Sequence, residues 1–272
     1  MVEFHPVTAH IGAEVSGIDL RKEATDEEVH AIRQALLKHL VLFFRDQDIT
    51  DEQHMAFALR FGTLNVPAMK TKAQTNPGIT VLDQTAPKGE GGDEWHNDNT
   101  FMPNPPMGSL LRALQLPSVG GDTLFSNMYL AYETLSPWLR RLADDLVAVH
   151  DLSNSVKKAI AKGHPLNLEQ MQRQWPPIER PVVITHPETG RKALFVNRSS
   201  VTHLKDLSPR ENEAILPLLL DHGRSPEFQC RLRWRTGTMA FWDNRSMQHY
   251  AVADYTERRL MHRVTIDGPW QW

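Results

Sequence analysis

With a single cysteine, Cys230, the 272-residue chain can build neither an intrachain disulfide framework nor a thiolate-rich metal site. Any transition metal must therefore be held by imidazole and carboxylate. No apolar run approaches the roughly 20 residues needed to span a bilayer. The start, Met1-Val2-Glu3-Phe4-His5-Pro6, lacks the basic and apolar blocks of a signal peptide, so a soluble, cytoplasmic protein is expected. A net charge of −3 and the absence of any Lys/Arg run exclude the broad basic field that grips phosphate backbones, and nucleic acid is not an expected partner. No Gly-rich nucleotide fingerprint follows a strand, and there is no internal repeat.

What is present is enough hydrophobic residue, 40%, to bury a large core, and one domain over residues 1–272 is expected. Two capping boxes, Thr25-Asp26-Glu27-Glu28 and Thr50-Asp51-Glu52-Gln53, open helices on either side of the buried strand Val41-Leu42-Phe43-Phe44. Ser136-Pro137 and Ser208-Pro209-Arg210-Glu211 start two more. Strands are expected at Ser109 to Gln115, Asp122 to Ser126, Pro181 to Thr185 and Lys192 to Asn197, with more toward the C-terminus. The weakly patterned stretches at about 65–95 and 151–180 read as mobile active-site segments. Helices grouped apart from strands indicate a mixed α+β, β-dominated chain. Its natural form is a double-stranded β-helix (jelly-roll, cupin-like) core with flanking helices and inserted loops.

His96-Asn97-Asp98 is the only His-x-Asp triplet, delivered by a Gly-rich loop. In an extended segment His96 and Asp98 point to one face about 6 to 7 Å apart, close enough to share a metal. His186-Pro187-Glu188 has similar spacing, but its Pro-Glu-Thr-Gly sequence reads as a hairpin turn. Farther on, His249 ends the run Trp242-Asp243-Asn244-Arg245-Ser246-Met247-Gln248-His249, and Arg259 follows ten residues later. Period-two alternation puts Arg259, Met261, Arg263 and Thr265 on one strand face, the two arginines about 13 Å apart.

Taken together, Trp95-His96-x-Asp98-x-Thr100-Phe101, Pro117-Ser118-x-Gly120-Gly121-Asp122-Thr123, Leu194-Phe195-Val196-Asn197, Trp242-Asp243-Asn244-Arg245-x-x-Gln248-His249 and Arg258-Arg259-x-Met261-His262-Arg263 resemble the taurine dioxygenase family, which includes dioxygenases of phenoxyalkanoate herbicides and alkyl sulfate esters. The resemblance implies an iron(II) enzyme with 2-oxoglutarate and O2 as co-substrates. It implies His96, Asp98 and His249 as iron ligands, Thr123 and Arg259 on the distal carboxylate of 2-oxoglutarate, and Arg263 at the substrate's acidic group. Two imidazoles and one carboxylate leave three metal positions open, as such oxygenases require. Iron, Asp98, the co-substrate dianion and Arg259 sum to about zero, leaving Arg263 as an unpaired cation for a small organic anion, with Lys70 and Lys72 as further candidates.

Taurine-specific members, as the family pattern implies, place a histidine shortly before the first ligand and an asparagine four residues ahead of it. Here the stretch Leu64-Asn65-Val66-Pro67-Ala68-Met69-Lys70 has no histidine and the other position is Gly92. Both departures count against taurine and for a sulfate ester, longer sulfonate or aryloxyalkanoate, hydroxylated beside a heteroatom so that the product fragments to a carbonyl compound. A homo-oligomer is expected. A zinc hydrolase or a non-catalytic cupin-like binding protein would have no use for the Thr123 and Arg259 pair.

Overall fold

The structure, a computed structural model, describes residues 1–65, 76–87 and 92–272. A mixed, sheet-rich architecture carries seven α-helices among these residues. The largest sheet orders its strands Glu3–Pro6, Ala13–Ser16, Val41–Phe44, Met239–Asp243, Gly108–Gln115, Arg259–Ile266 and Leu64–Asn65, and Thr80–Gln84 also pairs with Arg259–Ile266. Every pairing is antiparallel except Ala13–Ser16 with Val41–Phe44. A three-stranded sheet sets Thr123–Asn127 between Gln229–Leu232 and Met247–Ala251.

Side chains join these two sheets. Phe125 of the small sheet lies 5.6 Å from Phe43 and 5.9 Å from Trp242 of the large one, ring centroid to centroid, and all three are buried. Each such side chain contributes about 2–3 kcal/mol by leaving water. The other face of the large sheet is covered by Asp26–His39 and Asp51–Leu59, which bury Ile32, Leu36 and Phe57 against Phe44 and Phe241. Both helices start at the capping boxes expected, with Thr25 and Thr50 each accepting from the backbone N–H three residues on.

Residues 151–180 are not irregular. Ser153–Ala161 and Leu168–Gln174 are helices packed on each other, and Ile178–Pro181 joins a second three-stranded sheet with Val147–His150 and Val201–Leu204. The high Lys and Pro content that suggested a loop lies on the exposed faces and connections of these short elements.

His186 sits where the turn was expected, between Val183–Thr185 and Lys192–Leu194, but it also has a structural role. Its Nδ1 accepts from the N–H groups of Glu188 and Thr189, so its Nε2–H donates to Asp243 at 3.0 Å. Arg245 closes the same buried cluster with bonds of 2.9 and 2.7 Å to Asp243 and 2.8 Å to Glu188. Burial works against the ionised Asp243, yet Arg245 and then His186 outweigh it and hold its carboxyl below the usual carboxylate range. The cluster fixes the turn between Met239–Asp243 and Met247–Ala251, and that turn carries Asn244. No helix of the described residues is long and apolar enough to cross a membrane.

Candidate active site

His96 and His249 face each other across an isolated antiparallel bridge. The His96 N–H donates to the His249 carbonyl at 3.0 Å, the reverse bond is 2.9 Å, and the rings are 4.1 Å apart. Asp98, two residues on, is fixed by Asn244, whose Oδ1 accepts from the Asp98 N–H at 2.7 Å while its Nδ2 donates to the Asp98 carbonyl at 2.9 Å. Asn97 donates to the carbonyls of Asn244 and Met247, so the chain from 96 to 98 is stitched to the strand bearing His249. Asn99, at φ 51, then turns the chain away, a conformation asparagine tolerates better than most residues.

One donor atom from each of His96, Asp98 and His249 lies within 4.8 Å of the others, the only such trio among the described residues. Protonation suits a metal. The His96 Nδ1 is 2.7 Å from the Glu94 carbonyl and must donate to it, so the tautomer that can ligate does so through Nε2. Burial, with His96 alongside, drives His249 down to about 3, so it is neutral at pH 7. Burial opposes the charge on Asp98, but Arg263, His249, His96 and the Ser109 hydroxyl outweigh it and hold the carboxyl well below the usual range. Two imidazoles and one carboxylate, with no thiolate, form a donor set that fits iron(II).

Ser109 donates to Asp98 Oδ2 at 2.7 Å, leaving Oδ1 toward His249 Nε2 at 3.9 Å. The serine thereby occupies Oδ2, and Oδ1, which also accepts from Arg263, is the oxygen nearer the imidazoles. Ser109→Ala is expected to weaken metal affinity about 10–100-fold with little change in thermal midpoint. Manganese(II) or iron(II) titration alongside a melting curve checks this, and unchanged affinity would remove Ser109 from the role.

Thr123, Arg259 and Arg263 share a cavity of about 290 Å³ with the trio. Pairing along Arg259–Ile266 orders its contents: Arg259 lies opposite Gln84, and Arg263 opposite Leu111 and Thr80. The face alternation expected from sequence therefore holds, with His262 turned away onto Asp51 at 2.8 Å. Arg259 is 3% exposed, and its Nε and Nη2 have no hydrogen-bond partner. Burial pulls its ionisation below the ordinary arginine value, countered mainly by Tyr255. Unmet, buried guanidinium donors beside a threonine are suited to a carboxylate. Gly121, at φ 72, makes room for that arginine: a Cβ there would lie 3.2 Å from Arg259 Cδ. The Thr123 hydroxyl accepts from Trp234 Nε1 at 3.0 Å, which aims its own proton elsewhere.

One expectation needs correcting. Arg263 is not an unpaired cation, because its Nη1 donates to Asp98 Oδ1 at 2.8 Å. The strand brings it to the buried Asp98 carboxylate, which draws the nearest cation, although Arg263 Nε remains buried without a partner. Lys70, Lys72 and the stretch Val66 to Met69 lie outside the described residues.

Ser109, Asn97, Trp234, Asn244 and Asn197 support the site with no sequence signal for the roles they take. Asn197 and His150 hold Thr100 through its hydroxyl at 3.2 and 2.9 Å, and the buried Arg180 donates to the Thr100 carbonyl, so the segment after Asp98 is anchored on both sides.

The sequence pattern of the Taurine catabolism dioxygenase TauD, TfdA family matches residues 3–265. An alkylsulfatase of Acinetobacter baylyi is 36% identical over 98% of this chain and 85% of its own length. An alpha-ketoglutarate-dependent sulfate ester dioxygenase of Pseudomonas putida is 36% identical over 98% and 90%. Among solved structures, AAD-2 in complex with Mn(II) and N-oxalylglycine superposes with a TM-score of 0.86 at 32% identity, covering 100% of this chain and 99% of that one.

Proposed function

Since this chain belongs to the taurine catabolism dioxygenase TauD, TfdA family and is a non-haem iron(II), 2-oxoglutarate-dependent dioxygenase, we propose that it hydroxylates the carbon next to the ester oxygen of a small organic sulfate. The observation that carries the reading is the placement of His96, Asp98, His249, Thr123, Arg259 and Arg263 around one cavity. The sulfate-ester class is favoured by the two relatives named for such chemistry. Gly92 adds support, since it lines the cavity and offers no side chain to hold an amine. The two sheets that meet at Phe43, Phe125 and Trp242 are read as the halves of a double-stranded β-helix.

On this reading His96, Asp98 and His249 hold the iron. Thr123 and Arg259 hold the distal carboxylate of 2-oxoglutarate, the arginine through its two unmet donors. Bound there, iron(II) with 2-oxoglutarate supplies the dioxygen activation that converts one C–H bond to C–OH, with succinate and carbon dioxide as co-products. The protein's share is to orient that C–H and exclude bulk water. A product R–CH(OH)–O–SO3⁻ then breaks its carbon–sulfate bond as C=O forms. The hydroxyl proton goes to the departing sulfate, giving an aldehyde and hydrogen sulfate.

Arg263 holds the substrate's anionic group while bonded to Asp98, a second use of one guanidinium that its five donors permit. Arg263→Leu should raise the substrate KM about tenfold or more while shifting the 2-oxoglutarate KM far less. Equal shifts in both constants would place the anion elsewhere. The function itself is tested by succinate release with iron(II), ascorbate, 2-oxoglutarate and a panel of alkyl sulfates, longer sulfonates, aryloxyalkanoates and taurine. Taurine as the best substrate, or neutral analogues matching the anions, would overturn the proposal.

A further inference from the structure

The cavity has a wall that neither the metal trio nor the 2-oxoglutarate pair uses. Ser155 on the helix Ser153–Ala161, and Ser199 and Ser200 in the turn before Val201–Leu204, all line it. Ser155 Oγ and Ser199 Oγ are 3.1 Å apart, so one donates to the other and the pair keeps one proton for a third partner. Ser200 is nine-tenths or more buried, and its N–H is fixed by Asn197 Oδ1 at 2.9 Å.

The same Asn197 reaches Thr100 Oγ1 with its Nδ2. Thr100 follows Asp98 by two residues, and Asp98 carries the bond from Arg263. The serine wall is thus linked through Asn197 and Thr100 to the segment that carries Asp98. Leu82, Phe101 and Leu111 give the same cavity an apolar lining.

Resting on the sulfate-ester reading, we infer that the substrate is not a plain alkyl sulfate but carries an oxygen in its body, an ether or carbonyl, that accepts the one free proton of the Ser155–Ser199 pair and the Ser200 hydroxyl proton. A hydrocarbon chain against three hydroxyls would strip them of water and return nothing. A site built to hydrogen-bond an oxygen therefore rejects the analogue lacking it far more strongly than an apolar pocket rejects a change of one methylene.

The test compares heptyl sulfate with 2-butoxyethyl sulfate, chains of equal length that differ by one ether oxygen, using succinate release by the iron-loaded wild type and the variants Ser200→Val, Ser199→Ala and Ser155→Ala. In the wild type, kcat/KM for the ether ester should exceed that for the alkyl ester by about tenfold. Ser200→Val should bring the ratio to about one or below, and each alanine variant should reduce it, while the 2-oxoglutarate KM stays within about twofold. If Ser200→Val fails to fold, the two half-buried serines still decide the matter. An alkyl ester turned over as well as the ether, or a ratio that no variant alters, overturns the inference and leaves the sulfate-ester reading standing. Absence of turnover with both esters removes that reading and the inference with it.

Discussion

Alanine in place of His96, Asp98 or His249 is expected to remove nearly all bound iron and to lower turnover on the order of a thousandfold or more. Losing a hydrogen-bond partner behind a metal ligand costs about 10–100-fold, and losing the ligand itself should exceed that. The fold should survive in all three, since His96 and Asp98 lie in a loop outside the packed layer of Phe43, Phe125 and Trp242, whereas His249 packs on Trp242 at 4.7 Å and its variant should melt lowest. Circular dichroism and a melting curve check the fold, a chromogenic chelator counts the iron, and succinate release follows turnover. The Asp98 variant carries an added penalty because Arg263 loses its carboxylate, and Asp98→Asn separates that effect from loss of the ligand. Wild-type iron content in all three alanine variants would sink the ligand assignment.

Arg259→Ala should raise the KM for 2-oxoglutarate by about 30-fold to several thousandfold. Truncating one partner of a desolvated, hydrogen-bonded charge pair costs about 2–5 kcal/mol, and Arg259 is buried with two donors waiting. Its neighbour supplies the control. Arg258 turns outward to an exposed pair with Asp83 at 2.7 Å, and pairs of that kind contribute about 0–1 kcal/mol. Arg258→Ala should therefore leave the constant nearly unchanged. An exchange of the two phenotypes would place this strand one residue out of register.

The parts of the molecule visible in the sequence are those whose cause is local. The capping boxes at Thr25, Thr50 and Ser208 begin helices because the side chain and the N–H it satisfies are three residues apart. The alternation from Arg259 to Ile266 assigns faces because a strand repeats every two residues. The helix Ser153–Ala161 escaped notice for the same reason: Leu152 precedes it with no side-chain cap, and its basic residues look like loop. Asn167 does cap the helix after it, a signal that was present and outweighed by the prolines around it.

The candidate site was legible in its principals and opaque in its supports. His96 and Asp98 are neighbours, so their spacing carries the idea of a metal. Asn244 reaches Asp98 across 146 residues, Arg263 across 165, and Trp234 reaches Thr123 across 111. Such partners are chosen by the order of strands in a sheet, and nothing in the separate segments announces that order. Arg263 looked unpaired for that reason: Asp98 was counted against the iron, and only strand pairing brings Arg263 and Ser109 to either side of it.

The mutual backbone bonds of His96 and His249, with the Asn244 bracket on Asp98, give the donor set the character of a rigid chelate. A claw whose teeth are already bolted to one frame loses little freedom when it closes on an ion, so most of its grip is kept. That stiffness fixes spacing and not identity: among divalent ions of similar radius, the affinity of two imidazoles and a carboxylate follows the metals' own order, which this donor set does not reverse. Selection among divalent metals then falls to which ion the surroundings deliver, and a wrong ion would be held firmly and sit idle.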